Sequence, residues 1–508
     1  EVWINFAPSQ CPPRTDRVGY AASRFLLTAD PAAIGAEIGA EHQTRGERPI
    51  ADLINLPVMR DPEQVAIMKI LSNMLPAAYL STQMPLWSLI LLKMVNLSLN
   101  YGNTLASSIA YVSYGIVLAA QMKNYAAAYQ FGLLALEIIK KFPDTTFEPK
   151  INMVMGSLLN HWQAPLAENF TYLRQGYLSG LNCGDLFYAS YSQGLLPLYQ
   201  FWHGIDLLDE VQQSGRQAMQ MGKRTGMMDV QLYGELGILL DDFLSGRVQT
   251  LEIDDAVNHL LDLKRLNTVY WFKIYKVYVH LLMGDTPVDA LYELGQDAEI
   301  YVGASVGTIS RPVFVFCFGL IVAAVCRAEG VTSGEKIEQV EAYVAELADF
   351  EVGCEENFRH LRLLLAAELA RTKGELVSAW QLYEDAIEAA VANNHPIHMA
   401  LASELVGQCY LEQGLNRAAQ QYLQEARYAY HRWGAEAKVR HMNQRYNLPS
   451  YTVSNTTITT DGTSYTDTFD KTLGSSPSAA MSLDVHSVAK SAQAIAEELV
   501  LGQLLEKL

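Results

Sequence analysis

The sequence predicts an all-α fold built as a superhelix of stacked helical hairpins, and three observations lead there. First, two stretches repeat at a spacing of forty residues: Gly374, Ala379, Tyr383 and Ala386 align with Gly414, Ala419, Leu423 and Ala426. Both copies read as the turn and second helix of a hairpin. The glycine allows the left-handed turn after helix A, and the alanines let helix B approach closely. Second, apolar residues recur at helical period, as in Phe358, Leu361, Leu365 and Leu369, then Leu376, Ala379, Tyr383, Ala386 and Ala390. Third, strict two-residue alternation is scarce. A hairpin of this kind is TPR-like: it cannot bury its apolar face alone and must stack on a neighbour.

In chain order, residues 1–50 form an N-terminal segment of weaker pattern. From 51 to 448 the texture is helix after helix. Asp61-Pro62, Thr286-Pro287 and His395-Pro396 each set a capping residue before a proline at the first helical position. Ala128, Gly132 and Ala135 after Lys123-Asn124 repeat the hairpin offsets, and Gly284 with Ala290 and Leu294 does so more loosely. About five to six hairpins are expected from a repeat unit of this length. Residues 449–481 are rich in Ser and Thr and read as a flexible linker. Over 482–508, Val488, Ala492, Ile495 and Leu499 lead into Leu501, Leu505 and Leu508, a heptad-like seam suited to a connector helix whose partner is either a second chain, giving a dimer, or a further domain.

Composition narrows the function. The 508 residues are half apolar and carry a formal charge of −18. That balance opposes nucleic acid or an anionic membrane as the main partner. The six cysteines show no regular spacing, which fits a reducing, cytoplasmic setting. Asn96, Asn169 and Asn455 match the glycosylation pattern, read here as chance. The longest apolar run, Val313 to Cys326, is 14 residues. A membrane span needs roughly 20, so a buried helix is expected. No initiator Met is present and the chain stops within a helical pattern, as in a piece of a longer protein.

No catalytic constellation emerges. Gly215 to Thr225 has the glycines too far apart for a phosphate loop and no strand before it. His395 and His398 offer two imidazoles without a Cys or acidic neighbour. His395 is therefore expected as a helix cap and His398 as an exposed residue, with no metal or cofactor bound. Lys264 to Lys276 mixes Lys264, Arg265, Lys273 and Lys276 with Tyr270, Trp271, Phe272 and Tyr275; inward aromatics with solvated cations are favoured over a phosphate-binding face. Trp87, Tyr111, Tyr114, Trp162 and Trp202 are expected in the core.

Three stretches carry a family resemblance: Asn55-Leu56-Pro57-Val58-Met59-Arg60-Asp61-Pro62, Lys93-Met94-Val95-Asn96 through Tyr101-Gly102-Asn103, and Trp433-Gly434-Ala435-Glu436-Ala437-Lys438-Val439. From about Ile50 to Leu508 the chain resembles the helical-repeat region of giant hybrid kinases abundant in filamentous cyanobacteria. There a serine/threonine kinase and an ATPase domain precede the repeats, and a GAF domain and a histidine kinase follow. The resemblance implies that residues 1–50 close the ATPase module and that the chain serves ATP-dependent signalling. It transfers no catalytic residue. The expectation is a regulatory scaffold binding a protein partner in its concave groove. The alternative is a repeat domain sensing a small molecule, as in maltose-type transcription activators. Neither reading makes this segment an enzyme.

Overall fold

A computed structural model describes residues 30–80, 83–305 and 307–448. These residues form twenty α-helices. They begin with α1 (Pro31–Arg45), α2 (Pro62–Leu80), α3 (Met84–Tyr101), α4 (Ser107–Ala120), α5 (Tyr125–Lys141), α6 (Glu148–Val154) and α7 (Leu166–Cys183). Next come α8 (Leu186–His203), α9 (Leu208–Thr225), α10 (Met228–Ser245), α11 (Asp254–Asp262), α12 (Leu266–Met283) and α13 (Val288–Glu299). The series closes with α14 (Ser310–Glu329), α15 (Glu335–Gly353), α16 (Glu355–Thr372), α17 (Leu376–Ala392), α18 (Pro396–Glu412), α19 (Asn416–Trp433) and α20 (Glu436–Arg445). Among the described residues there is no strand, only an isolated bridge between Val58 and Asn103. The fold is the expected all-α solenoid. The expected linker and connector helix lie outside the described residues.

Among the eighteen helices from α2 to α19, eight consecutive pairs pack together, more than the five to six expected, while the short α11 packs on α12 rather than on α10. The middle pairs escape the repeat signature because their first helices are held by large side chains rather than by spaced alanines. In α8, α12 and α14 nearly every residue is buried, so no polar face marks the period. Their partners are amphipathic: α9 buries only Leu208, Val211, Gln212, Gly215, Ala218 and Gly222. Helix α14, at 20 residues, is longer than its uninterrupted apolar run and is long and apolar enough to cross a membrane. Its Val313, Phe316, Phe318 and Ile321 are instead fully packed inside the protein.

The repeat signature itself is a packing device. Gly374 and Gly414 turn at φ 79° and 72°. Ala379, Ala386, Ala419 and Ala426 are fully buried, as are Tyr383 and Leu423. Leu423 lies on the bare backbone of Gly407, where an added Cβ would sit 2.8 Å from Leu423 Cγ. Helix starts follow the expected signals at Pro62 and Pro396, whereas α13 begins one residue later than expected, with Pro287 at the N-cap position.

Two of the stretches that carry the resemblance meet each other. Met59 N–H donates to Asn103 O at 3.0 Å and Asn103 N–H to Pro57 O at 2.7 Å. Gly102, at φ 98°, is pressed so closely on Pro57 that a Cβ would lie 2.1 Å from the Pro57 carbonyl oxygen. The Asn103 side chain ties the corner by donating to Leu53 O at 2.7 Å and accepting from Tyr111 at 2.9 Å. Helix α1 precedes residue 51 yet packs on α3, where Lys93 pairs with Glu37 at 2.7 Å and Asn96 donates to the Glu37 carbonyl at 2.9 Å. The buried Glu41 accepts from Arg45 at 2.5 Å and from Tyr114 at 3.2 Å.

The superhelix winds tightly enough for its turns to touch. Asn357 on α16 donates to the carbonyls of His161 and Ala164, each at 2.8 Å, and its Oδ1 accepts from Leu166 N–H at 2.8 Å. That one side chain satisfies groups at the start of α7 that helix geometry leaves unpaired. Trp162 stacks on Phe358, with centroids 5.9 Å apart. Trp433 donates to Asp206 O at 3.1 Å and meets Phe201 at 5.4 Å. Arg445 donates to Gly284 O at 2.8 Å.

Candidate functional site

The first helices of several successive pairs, together with α3, enclose a cavity of about 120 Å³ among α2, α3, α4, α6, α8, α10 and α12. Its walls are aromatic and aliphatic: Tyr79, Trp87, Ile116, Phe187, Tyr188 and Trp271. Trp87 sits 5.8 Å from Tyr79 and Phe187 sits 5.1 Å from both Tyr188 and Tyr191, centroid to centroid. One wall comes from an irregular stretch. After α6 the chain widens into a π-helical turn over Met155–Leu159, and Ser157 and Leu158 face the cavity from it. Single π turns of this kind recur at functional sites because they displace side chains from the regular helical rows. The carbonyl of Ser157 accepts from Tyr199, and that of Leu158 accepts from Trp162 Nε1 at 3.1 Å, so the widened turn is fully held.

One end of the cavity is polar. Asp229, in the first turn of α10, accepts from Thr268 Oγ1 at 2.8 Å, from Tyr191 at 3.3 Å and from Arg265 Nη1 at 3.3 Å. Thr268 Oγ1 lies 3.3 Å from Tyr233, which also donates to Asn267 Oδ1 at 3.2 Å. Burial pushes the Tyr191 and Tyr233 phenols up, with Asp229 adding to the effect, so both remain protonated donors. Arg265, nearly half exposed, is the one cation at this end. A small molecule with a flat apolar body and one hydrogen-bonding group fits such a chamber.

The residues singled out in the sequence fall elsewhere or play plainer parts. Gly374, Ala379, Tyr383, Ala386, Gly414, Ala419, Leu423 and Ala426 serve hairpin packing in α16–α19, Trp433 and Gly434 close α19 against the α8–α9 region, and none of them lines the cavity. Gly215 and Gly222 sit inside α9; a Cβ on Gly215 would be 2.8 Å from Gly234 O, so these glycines permit close helix contact. Tyr270, Trp271, Phe272 and Tyr275 are buried, Lys273 pairs with Asp297 and Lys276 with Asp254 at 2.6 Å. Asn96 and Asn169 are buried, so their side-chain amides face the interior.

The expectation for the histidines needs correction. His398 is buried, not exposed, and His395, although at the N-cap position of α18, makes no capping hydrogen bond. Sequence reasoning saw only this pair. Folding sets His360 of α16 and His203, the last residue of α8, beside it, across a sequence separation of 192 between His203 and His395. No spacing rule links such positions. Asp229 and the cavity aromatics were missed for the same reason, as they lie on separate helices.

No family model matches the chain. A stretch of 152 residues, 30% of this chain, is 25% identical to hybrid signal transduction histidine kinase G of Dictyostelium discoideum. The chain spans 4% of that protein's length.

Proposed function

We propose that this chain is a non-catalytic, ligand-sensing helical-repeat module of a signalling protein, in which a small molecule held in the axial cavity sets the state of attached kinase or ATPase modules. The observation that carries this reading is the aromatic chamber with a single polar end, built from helices of several successive hairpins. Binding there would act on the relative positions of those hairpins at once. The likeness to a hybrid histidine kinase supports the signalling context. Among the described residues that line the chamber Asp229 is the one carboxylate, and its engagement by three donors supports a sensing role over a chemical one.

A protein partner in the concave groove is the reading the repeat pattern alone favours. Helices α8, α12 and α14 are buried on nearly every face, so side chains rather than a partner occupy the axis there. At about 120 Å³ the chamber is somewhat smaller than the ~150 Å³ void that takes benzene, which limits its occupant to a single small ring. Phenol and benzoate are suitable probes in a thermal-shift and calorimetric series. At least one should raise the melting temperature, because a ligand at a hundred times its dissociation constant stabilises the fold by about 2.7 kcal/mol. Ile116→Trp should fill the chamber and abolish the shift while leaving the helical circular dichroism intact. A shift that survives Ile116→Trp, or no shift with any aromatic probe, would refute the assignment.

A further inference from the structure

Four histidines from three helices meet in the interior, away from the axial cavity. His360, His395 and His398 each offer one ring nitrogen, and those three atoms lie within 4.8 Å of one another. The rings of His360 and His395 stack with centroids 4.2 Å apart, and His203 stands edge-on to His395 at 5.0 Å. His360 Nε2 and His398 Nδ1 are 2.8 Å apart. His395 Nε2 lies 3.1 Å from the carbonyl of Glu356. Trp202, Phe316 and Tyr278 wall in His398.

Hydrogen bonding leaves this cluster unfinished. Nδ1 of His203, His360 and His395 and Nε2 of His398 are buried with no partner. Buried polar atoms are almost always paired, and an unpaired nitrogen on each of four neighbouring imidazoles points to an ion or water. The Glu356 carbonyl fixes the His395 tautomer: Nε2 carries the hydrogen, so Nδ1 presents its lone pair inward. Orientation of a histidine by an outer carbonyl is the usual arrangement around bound metals.

We propose that His360, His395 and His398, with His203 available as a fourth donor, bind one divalent transition-metal ion of the zinc class and so pin α8 to α16 and α18. The donor set decides the class. Imidazole alone suits Zn²⁺, Co²⁺, Ni²⁺ or Cu²⁺, whereas Ca²⁺ and Mg²⁺ need oxygen ligands. A tetrahedral ion with bonds of about 2.0–2.1 Å holds its ligand nitrogens roughly 3.3 Å apart, so His360 Nε2 and His398 Nδ1 must open from their 2.8 Å hydrogen bond while the His395 nitrogen draws in. Three histidines leave an open tetrahedral position for His203 or a water. The ion would hold His203 to residues nearly two hundred positions later, where successive turns of the superhelix touch.

The test uses the full chain, stripped with a chelator and then titrated with Co²⁺ and Zn²⁺. One equivalent of Co²⁺ should give the visible absorption of a tetrahedral nitrogen site, and Zn²⁺ should displace it and raise the melting temperature. His398→Gln should weaken binding by at least about a hundredfold, the upper end of what loss of an outer-shell partner costs. His259→Gln, at an exposed position on α11, should leave it unchanged. If His398→Gln fails to fold, the wild-type cobalt spectrum and stoichiometry decide alone. Folded wild-type protein showing no cobalt band and no zinc-dependent stabilisation would overturn the proposal and assign the vacant nitrogens to buried water. A band retained in folded His398→Gln protein would overturn it equally.

Discussion

Removing the charge of Lys438 should cost more stability than any surface change. Lys438 lies in α20, almost wholly buried, and its ammonium meets Glu404 Oε1 at 2.7 Å and the Met283 carbonyl at 3.2 Å. Tyr446 also donates to Glu404 Oε1 at 3.0 Å. Burial draws the ammonium pKa down and Glu404 opposes it. In Lys438→Met the carboxylate stays in a dry interior without its cation, and breaking a buried pair in this way costs about 3–5 kcal/mol. Replacing both partners by apolar residues of similar volume removes both desolvation costs, so Lys438→Met with Glu404→Leu should fall within about 1–2 kcal/mol of wild type. Urea unfolding, followed by tryptophan fluorescence and by far-ultraviolet circular dichroism, measures both. Trp433 reports locally, since it anchors the end of α19 to Asp206. A loss below about 1 kcal/mol for the single variant, or a double variant no better than the single, would refute the reasoning.

Ala379→Leu should push α16 and α17 apart and cost about 1–3 kcal/mol through overpacking, because Ala379 is wholly buried; an unchanged urea midpoint would remove its packing role. Glu368→Ala should cost about 3–5 kcal/mol in urea unfolding by removing the carboxylate that pairs with Arg327 at 2.5 Å, the larger loss, and with Arg371 at 3.1 Å, which keeps Glu412 as a second partner. Acidification should destabilise the fold through His161, whose pKa burial lowers to about 3. The unfolded chain takes up a proton near pH 6.5 and the folded chain does not, so stability is full above that value and falls toward pH 3. Between pH 7 and 5 this one ring should remove about 2 kcal/mol, and His161→Gln should flatten the melting-temperature profile accordingly.

The all-α solenoid was legible because hairpin packing is local: glycine, alanine and a large residue at set intervals act within one turn and its neighbour. The tight corner between Pro57 and Gly102 shows that an unusual motif can be noticed before its reason is visible, since the reason is the contact between its two halves. The cavity and the histidine cluster were not legible. Arg265 and Trp271 stand in a segment that reads as ordinary amphipathic packing, and only folding sets Asp229 and Tyr233 beside them. His395 and His398 are one helical turn apart and so visible as a pair, yet their meaning depends on His203 and His360. Single-helix patterns carry no information about which side chains converge across separate turns.

The inter-turn bridge through Asn357 changes what kind of mechanical element this chain is. An open coil of repeats stretches and twists like a spring, and each joint yields independently. Here amide, indole and carbonyl contacts clasp one coil against the next, so flexing any joint requires those clasps to release together. The array should therefore respond to load or ligand as a catch that is either shut or sprung, with unfolding that is steeper than a chain of neighbour-only units would give.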